Sequence, residues 1–569
     1  MRKTVQVFRR VWTAWLIIAG ITLILYSGTF SYGILYNYDD DAYLFDPRIT
    51  HLNAGNTLEY FSDYYLGMYQ PLPVLSFAFL DQLFPGSVMA QRVTNFLLHC
   101  LNALLVLILV RRLTRNFWIG ALTSLFFAIH PVHVESVTWI SARSNLMYSF
   151  FFLGGLIFYT RWQEDRKWRS WILVFLCFLV SLFCKVTAVT FPAVLVLLDL
   201  YHSRTIPRRT LLLYVPIVLL SCLFVWIGVN ASGSFGHISD LGLEYTAIDR
   251  IFILLHALWL YISRFFVPEN LSVIFLYPWK ASGALPVHYL LTGILALAGI
   301  SLLLVTGWMN RRKESGRAIL FGLLFFLITI SVVLPLKWSR TLLIAERYTY
   351  IPYIGLAAGV LMLVFYFAEK SGRWIRIPLL LVLVCYSVLF SYQCYQRNRV
   401  WKDPVTLFTD VIEKNRSRAE VSMGYYNRGN EYLRLKMPGK ALADYSEAIR
   451  LYPEYRDAYY NRGIVLYQTG DYLSAVRDYS KAIGLKSDFY DAYLNRGTAY
   501  RAMGRYREAL SDYDHVILHF PYGIAFYSRG VLYYFNLDNK RQGCEDWKEA
   551  IRLGFKPAEE MVKRFCSSR

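Results

Sequence analysis

Long apolar stretches recur through the first 400 residues and restrict what this chain can fold into. A helix needs about 20 mostly apolar residues to cross a hydrocarbon core about 30 Å thick. Because 56% of all residues are hydrophobic and only 18% are charged, the composition differs from that of soluble domains. The sequence therefore predicts a membrane protein. Twelve candidate segments lie near residues 11–33, 93–110, 117–131, 144–160, 170–184, 187–201, 211–230, 250–267, 287–308, 318–335, 346–366 and 377–395.

The distribution of charge predicts which side of the membrane each loop faces. The net charge is +20, and most of the basic excess lies in the apolar part, which favours lipid headgroups over nucleic acid as a partner. Cytoplasmic loops are enriched in Lys and Arg. The clusters expected on the cytosolic side are Arg2 to Arg10, Arg111 to Arg115, Arg161 to Arg169, Arg204 to Arg209, Arg311 to Arg317 and Lys370 to Arg376.

The first apolar segment lacks a cleavage site and is expected to remain as an anchor with a cytosolic N-terminus. Two apolar segments then separate the outer loop at 231–248 from the basic loop at 311–317. Two crossings would return the chain to the outer side, whereas the basic loop is expected on the cytosolic side. Segment 250–267 is the weakest because it contains His256 and Arg264, so we expect it not to cross alone. The remaining eleven crossings place the C-terminal part in the periplasm or an equivalent lumen.

A motif returns every 34 residues from about residue 421. It consists of Asn-Arg-Gly or Ser-Arg-Gly and, on the same period, of Asp followed by an aromatic residue. Four copies in register resemble tetratricopeptide repeats, which are helical hairpins that stack into a concave binding surface. The glycines are Gly429, Gly463, Gly497 and Gly530, and the acidic residues are Asp444, Asp478, Asp512 and Asp546.

The predicted fold class is all-α, a polytopic membrane helical bundle followed by a tetratricopeptide-repeat solenoid. We expect residues 1–400 to form the membrane domain, 401–420 a linker, and 421–569 four repeats with a capping helix at Ala558 to Cys566. The solenoid is expected to hold a peptide or protein. Tyr residues such as Tyr459, Tyr460 and Tyr493 either line its groove or pack within the helices.

The cysteines predict no disulfide framework and no CxxC metal site. Six of the eight lie in or beside apolar segments, where buried thiols are ordinary. Only Cys544 and Cys566 lie in the polar C-terminal part.

Ionisable residues cluster where apolar segments end at the outer face. Such residues are costly at membrane depth and tend to line a cavity, so we expect a pocket that contains acid, base and cations. A solvated acidic cap is the alternative for the acidic triplet alone. The residues concerned are Asp39, Asp40, Asp41, His130, His133, Glu135, Arg143, Lys185, Glu346, Arg347 and Tyr348.

His130, His133 and Glu135 also resemble a set of metal ligands. Their spacing around Pro131 does not match a known zinc arrangement, so no metal site is predicted. A divalent metal stays an open alternative, and His130 alone also fits an ordinary helix-end residue.

Motifs spread over nearly the whole chain carry a resemblance to a known family. They are Tyr38 to Tyr43, Gln70 to Leu72, Asn95 to His99, His130 to Val137, Lys185 with Thr190 to Pro192, Val267 to Leu271, Glu346 to Pro352 and Arg399 to Asp403. With the C-terminal repeats, these motifs make the chain similar to the transmembrane and tetratricopeptide-repeat O-mannosyltransferases and their bacterial relatives.

That resemblance implies a membrane enzyme of the glycosyltransferase C class with an acidic motif in its first outer loop. It implies a polyprenyl-phosphate sugar as donor, mannose as the sugar, and Ser or Thr of exported proteins as acceptor. We expect Asp40, with Asp39 next, to be the general base of an inverting displacement. The cations expected at the donor phosphate are Arg143, Lys185, Arg347 and Arg264. The pocket is expected to include Asp41, His130, His133, Glu135, Glu346 and Tyr348.

Two other functions fit parts of the sequence. A non-catalytic membrane scaffold would use the repeats to recruit envelope proteins, but it does not explain acid, His and cations at one face. A transporter would carry such charges near the midplane and show two related halves, which the sequence lacks.

Overall fold

Regular secondary structure in the described residues consists of helices, with two isolated β-bridges. A computed structural model gives residues 2–36, 38–202, 208–234, 245–278, 280, 284–335, 342–371, 373–415 and 417–566. The predicted all-α fold class is confirmed for these residues. They form two units, Met1–Leu407 and Phe408–Arg569, called here the membrane unit and the repeat unit. The expected loops 204–209 and 231–248 lie partly outside the described residues.

Every predicted apolar segment contains helix. The α-helices of the membrane unit are Arg2–Tyr26, Asp40–Phe45, Pro47–Thr50, Ala54–Ser62, Pro71–Leu83, Val88–Thr114, Phe117–Ile129, Val134–Thr138, Arg143–Asp165, Trp168–Cys184, Phe191–His202, Arg208–Ser234, Ala247–Phe266, Val287–Met309, Glu314–Ile330, Pro352–Lys370 and Arg373–Val400. Short 3-10 helices at Ser27–Ser31, Pro131–His133, Ile140–Ala142, Val186–Thr190, Ser331–Val333 and Glu346–Thr349 follow or separate them.

Seven helices in the described residues are long and apolar enough to cross a membrane. An eighth span results if Phe117–Ile129 and Pro131–Thr138, which meet at a 53° bend, count as one. These helices make the chain an integral membrane protein. The predicted total of eleven crossings is not confirmed. Helix Ala247–Phe266 is not among the seven, and its buried side includes His256 and Arg264.

Small residues let two helices of the membrane unit approach closely. A Cβ atom on Gly322 would lie 2.9 Å from the Cα atom of Gly359, and one on Gly355 would lie 2.8 Å from the Cβ atom of Phe325. Such contacts are typical of helices packed within a membrane. They fix the start of helix Pro352–Lys370, directly after the segment that contains Glu346 and Arg347.

The repeat unit consists of four helical hairpins and a final helix, as predicted. Residues 401–420, predicted to be a linker, include the helix Pro404–Lys414, which crosses the boundary between the two units. The hairpins are Arg418–Arg434 with Pro438–Leu451, Arg456–Gln468 with Tyr472–Leu485, Tyr490–Ala502 with Tyr506–His519, and Gly523–Phe535 with Lys540–Arg552, followed by Pro557–Phe565.

The repeated Arg and Asp residues form one ion pair in each hairpin. In the second hairpin, Nε and Nη2 of Arg462 donate to the two carboxylate oxygens of Asp478 at 2.7 and 2.8 Å. Its Nη1 donates at 3.1 Å to Oγ of Ser446 in the preceding hairpin. Each Arg therefore joins the two helices of its own hairpin. The equivalent pairs are Arg428–Asp444, Arg496–Asp512 and Arg529–Asp546.

The repeated Gly and Tyr residues complete this packing. A Cβ atom on Gly463 would lie 2.7 Å from the ring of Tyr479, so only glycine admits that ring. The ring of Tyr459 lies under the guanidinium of Arg462, and the hydroxyl of Tyr460 accepts from Nδ2 of Asn495 at 2.9 Å. Tyr459 and Tyr460 therefore pack within and between hairpins, which is one of the two roles that the sequence left open for them.

A disulfide joins Cys544 and Cys566, which are 22 residues apart. The prediction of no disulfide is therefore wrong for this pair. The helix Pro557–Phe565 folds back and packs against Trp547, which brings Cys566 to the helix that carries Cys544. Spacing along the sequence does not reveal this return of the chain.

We predict that Arg462→Gln destabilises the repeat unit by about 2 to 3 kcal/mol, because the carboxylate of Asp478 loses a bidentate partner where little water can replace it. Urea unfolding of a fragment from Pro404 to Arg569, followed by circular dichroism, measures the change. Arg450→Gln is the control, since Arg450 pairs with Glu447 on the surface with 66% of its side chain exposed. Equal losses in the two variants would contradict a special role for the repeated ion pair.

Candidate functional site

The adjacent residues Asp39 and Asp40 occupy opposite environments. Asp39 is exposed and has a left-handed backbone, with φ of 66°, and the helix Asp40–Phe45 begins directly after it. The side chain of Asp40 is fully buried. Its Oδ1 accepts from the backbone N–H and the hydroxyl of Ser141 at 3.0 and 2.6 Å, and its Oδ2 accepts from the N–H of Leu35 at 3.3 Å.

Burial raises the pKa of the Asp40 carboxyl to about 6, while the positive charge of Arg92 and the hydrogen bonds from Ser141 and Leu35 oppose that rise. Arg92 itself donates to the carbonyl oxygens of Thr138, at 2.6 Å, and Gly33. Asp40 therefore binds the loop after the first helix to the segment after His133, and it holds Asp39 in place.

Two of the four predicted cations lie around one ring. Nζ of Lys185 lies 5.7 Å, and Cζ of Arg347 5.0 Å, from the ring centre of Tyr348. The guanidinium of Arg347 also forms an ion pair of 2.5 Å with Glu135, whose second oxygen accepts from the backbone N–H of Arg347 at 3.0 Å. Lys185 donates to Oδ1 of Asn145. We call Lys185 and Arg347 the cation pair.

The acidic loop and Arg347 of the cation pair meet at Trp139. The ring of Tyr38, next to Asp39, packs against Trp139 at 4.9 Å, and Nε1 of Trp139 donates to the carbonyl oxygen of Tyr38 at 3.0 Å. Cζ of Arg347 lies 5.1 Å from the same indole ring. Residues from three distant parts of the sequence therefore lie together at Trp139, and a site that contains Asp39, Glu135, Arg347 and Lys185 stays a prediction.

Arg143 and Arg264 are held by other groups. Arg143 is fully buried, and its Nε and Nη2 donate to Oδ1 of Asn95 at 2.9 Å and Oε1 of Gln91 at 2.6 Å. Arg264 is 8% exposed, and its Cζ lies 4.1 Å from the ring centre of Phe275. The structure therefore gives these two cations contacts within the protein instead of a place beside Tyr348.

His130 and His133 are buried and bonded to backbone. Nε2 of His130 lies 3.2 Å from the carbonyl oxygen of Phe265, and Nδ1 of His133 lies 2.9 Å from that of Phe127. Within the described ranges, no group of three His, Cys, Asp or Glu residues is arranged to hold a metal ion. Glu135, the third residue of the alternative ligand set, is paired with Arg347.

Several residues of the site carry no signal in the sequence. Arg397 pairs at 3.3 Å with Glu346, a predicted residue that is buried, and Ser141 holds Asp40. Arg397 lies between the last apolar segment and the junction motif at Arg399 to Asp403, which is a position that could have indicated it. Ser141 and Trp139 follow the His130 to Val137 motif without a pattern of their own.

A cavity of about 830 Å³ lies beside the same loop. Its lining in the described part of the chain includes Asp41, Asp46, Arg48, Asp63 and Tyr64. Asp41, predicted to belong to the pocket, thus lies on the side of the loop that opens into this cavity.

Three stretches of the repeat unit match models of the tetratricopeptide repeat, at residues 422–455, 465–504 and 491–521. The chain is similar to protein O-mannosyl-transferase F38B6.6 of Caenorhabditis elegans, with 23% identity over 68% of this chain and 54% of that protein. Human protein O-mannosyl-transferase TMTC3 is 21% identical over 68% of this chain and 45% of its own length.

The chain spans about half the length of these two relatives. Protein O-mannosyl-transferase Tmtc1 of Drosophila melanogaster is 34% identical over 22% of this chain and 14% of that protein. A crystal structure of the Archaeoglobus fulgidus oligosaccharyltransferase tethered with an acceptor peptide is similar over 75% of this chain and 59% of its own, with 14% identity and a TM-score of 0.40. The resemblance to the transmembrane and tetratricopeptide-repeat O-mannosyltransferases is confirmed.

The buried carboxyl of Asp40 predicts a pH-dependent stability. Because its pKa in the folded protein is about 6 and its ordinary value is 3.8, its contribution is complete below about pH 3.8 and is lost as the pH rises through about 6. Asp40→Asn cannot titrate. The unfolding free energy of the wild type relative to this variant should therefore fall with rising pH, by at most about 1.4 kcal/mol per pH unit.

Thermal unfolding of the purified protein in detergent, over about pH 4 to 7, measures this difference. Ser141→Ala is a matched control. It removes a hydrogen bond that favours the charged form, so the pH dependence should move to higher pH. Parallel curves for the wild type and Asp40→Asn would contradict the prediction.

Proposed function

We propose that this chain is a membrane glycosyltransferase that moves a sugar from a polyprenyl-phosphate donor to Ser or Thr of exported proteins. The observation that carries the proposal is the exposed carboxylate of Asp39 next to Tyr38, whose ring packs on the same Trp139 that Arg347 of the cation pair contacts. An acid group and two cations at one place suit the attack of a hydroxyl on a sugar phosphate. The similarity to named O-mannosyl-transferases supports the same reaction class and mannose as the sugar.

In the proposed reaction, Asp39 accepts the proton of the acceptor hydroxyl. The hydroxyl oxygen attacks the anomeric carbon, the bond from that carbon to the phosphate oxygen breaks, and the lipid phosphate leaves with the electron pair. One displacement inverts the anomeric centre. Exposure favours Asp39 over Asp40 as the base, which reverses the order expected from the sequence, because the oxygens of Asp40 already accept from Ser141 and Leu35.

The cation pair is proposed to bind the donor phosphate. The negative charge that develops on the leaving phosphate is stabilised by charge-assisted hydrogen bonds from Lys185 and Arg347. Both side chains are partly exposed and flank Tyr348. In this proposal Arg143 and Arg264 support the surrounding helices and do not touch the donor.

The repeat unit is proposed to lie in the periplasm or an equivalent lumen and to bind the acceptor protein or a partner. Positive loops on the cytosolic side favour this orientation. The disulfide between Cys544 and Cys566 supports it independently, because disulfides persist in oxidising compartments and are rare in the cytosol.

Sugar transfer by the purified protein, with a polyprenyl-phosphate mannose and a Thr-containing peptide, tests the reaction. Asp39→Asn should lower the rate about 10²- to 10⁴-fold, and Lys185→Ala should weaken donor binding. Asp81→Asn, on a helix end away from the site, is the control. A larger loss in Asp40→Asn than in Asp39→Asn would make Asp40 the base. If the wild type transfers no sugar with a donor and a peptide that are substrates of a related enzyme, the result favours the non-catalytic membrane scaffold.

Cysteine labelling tests the orientation. Ser487 is exposed between two hairpins, and Arg312 is exposed in a basic loop. A membrane-impermeant maleimide should label Ser487→Cys in right-side-out vesicles and label Arg312→Cys only after permeabilisation. Cys544 and Cys566 need no replacement because they are joined in a disulfide. The reverse pattern would put the repeats in the cytosol.

A further inference from the structure

The cavity beside the first outer loop carries a charge opposite to that of the cation pair. Its lining has three carboxylates, Asp41, Asp46 and Asp63, and one guanidinium, Arg48. Arg48 is already neutralised, since its Nε and Nη2 bind Asp46 at 3.1 and 2.8 Å and its Nη1 binds Glu59 at 3.1 Å. No ion pair of the described residues involves Asp41 or Asp63.

Aromatic rings form much of the remaining wall, from Tyr36, Phe45, Tyr64 and Tyr65. The faces of such rings carry partial negative charge and attract cations. A volume of about 830 Å³ falls within the range of small-molecule and peptide sites. An anionic phosphate would be repelled by this lining, whereas a cationic side chain would meet two carboxylates and several rings.

The cavity is close to the residues proposed to act on the substrates. Asp41 is two residues from Asp39, on the helix that begins beside it. The chain that forms the other wall packs on Phe183, whose ring centre lies 5.8 Å from that of Phe61 and 6.3 Å from that of Tyr69. Phe183 is two residues before Lys185. The cavity therefore shares the helix Asp40–Phe45 with the loop that carries Asp39, and the chain that flanks its other wall packs on the segment that ends at Lys185.

We propose that this cavity binds a Lys or Arg side chain of the acceptor polypeptide, close to the Ser or Thr that receives the sugar. The inference rests on the proposed function, which makes a Ser or Thr hydroxyl the acceptor. It adds that the acceptor sequence carries a basic residue close to that hydroxyl. The two substrates are then separated by charge: the donor phosphate binds at Lys185 and Arg347, and the basic segment of the acceptor binds at Asp41 and Asp63.

Equilibrium binding of two peptides to the full-length protein in detergent tests the proposal without any turnover. The peptides contain the same single Thr and differ only in having Lys or Glu on both sides of it. Fluorescence anisotropy should show tighter binding of the Lys peptide, with a preference that shrinks as salt is added. Asp63→Asn should weaken binding of the Lys peptide about 2- to 5-fold.

Charge reversal makes the test specific to the cavity. Asp63→Lys should shift the preference toward the Glu peptide, because a basic side chain then faces the bound segment. Asp63 is exposed, so neither change disturbs a buried contact. Asp81→Asn is the matched control: Asp81 also accepts a backbone N–H, from Gly86 at 3.0 Å, but it does not line the cavity.

Equal affinity for the two peptides, or the same preference in all variants, would overturn the proposal. The result is separable from that of the transfer assay. A Lys preference that depends on Asp63 in a protein that transfers no sugar would keep the peptide site and reject the enzyme. Sugar transfer with no effect of Asp63 on peptide choice would keep the enzyme and reject this acceptor site.

Discussion

Backbone hydrogen bonding inside a hydrocarbon layer is the constraint that arranges the rest of the membrane unit. Because lipid offers no partners to N–H and C=O groups, chains that cross it are helical, and irregular backbone is tolerated only where protein or water covers it. Within the described residues, the long helices are interrupted at 130–142, 185–190, 331–335 and 342–351. Those interruptions carry Glu135, Lys185 and Arg347. The breaks that are costly in lipid thus supply the polar groups of the candidate site.

Much of this organisation can be predicted from sequence because it depends on periodicity. Apolar runs of membrane length gave the helices, and a 34-residue period gave the hairpins with their Arg, Gly and Asp positions. Glu135, Lys185 and Arg347 could be grouped as candidates from the sequence because each stands at the end of an apolar run. The number of crossings did not follow, because some apolar segments form helices shorter than a full crossing, such as Trp168–Cys184.

The roles of individual polar residues could not be predicted in the same way. Asp39 and Asp40 are neighbours in sequence, and one left-handed residue sends one carboxylate outward and the other into the protein. The position of Arg143 at the start of an apolar segment predicts a cation available to a ligand, yet its guanidinium donates to Gln91 and Asn95. Such differences depend on contacts between residues far apart in the chain. The disulfide could not be predicted for the same reason, because Cys566 reaches Cys544 only when the last helix packs back on the fourth hairpin.

The closed end of the repeat unit affects how the array comes apart. In a linear array each hairpin is stabilised only by its neighbours, so opening normally begins by fraying at either terminus. Here the last helix is tied covalently to the fourth hairpin and buries Trp547. Fraying from that side would have to open a closed loop of chain. Loss of structure is therefore expected to start at the first hairpin, Arg418–Arg434 with Pro438–Leu451, and a protease would gain entry there before it reached the fourth hairpin.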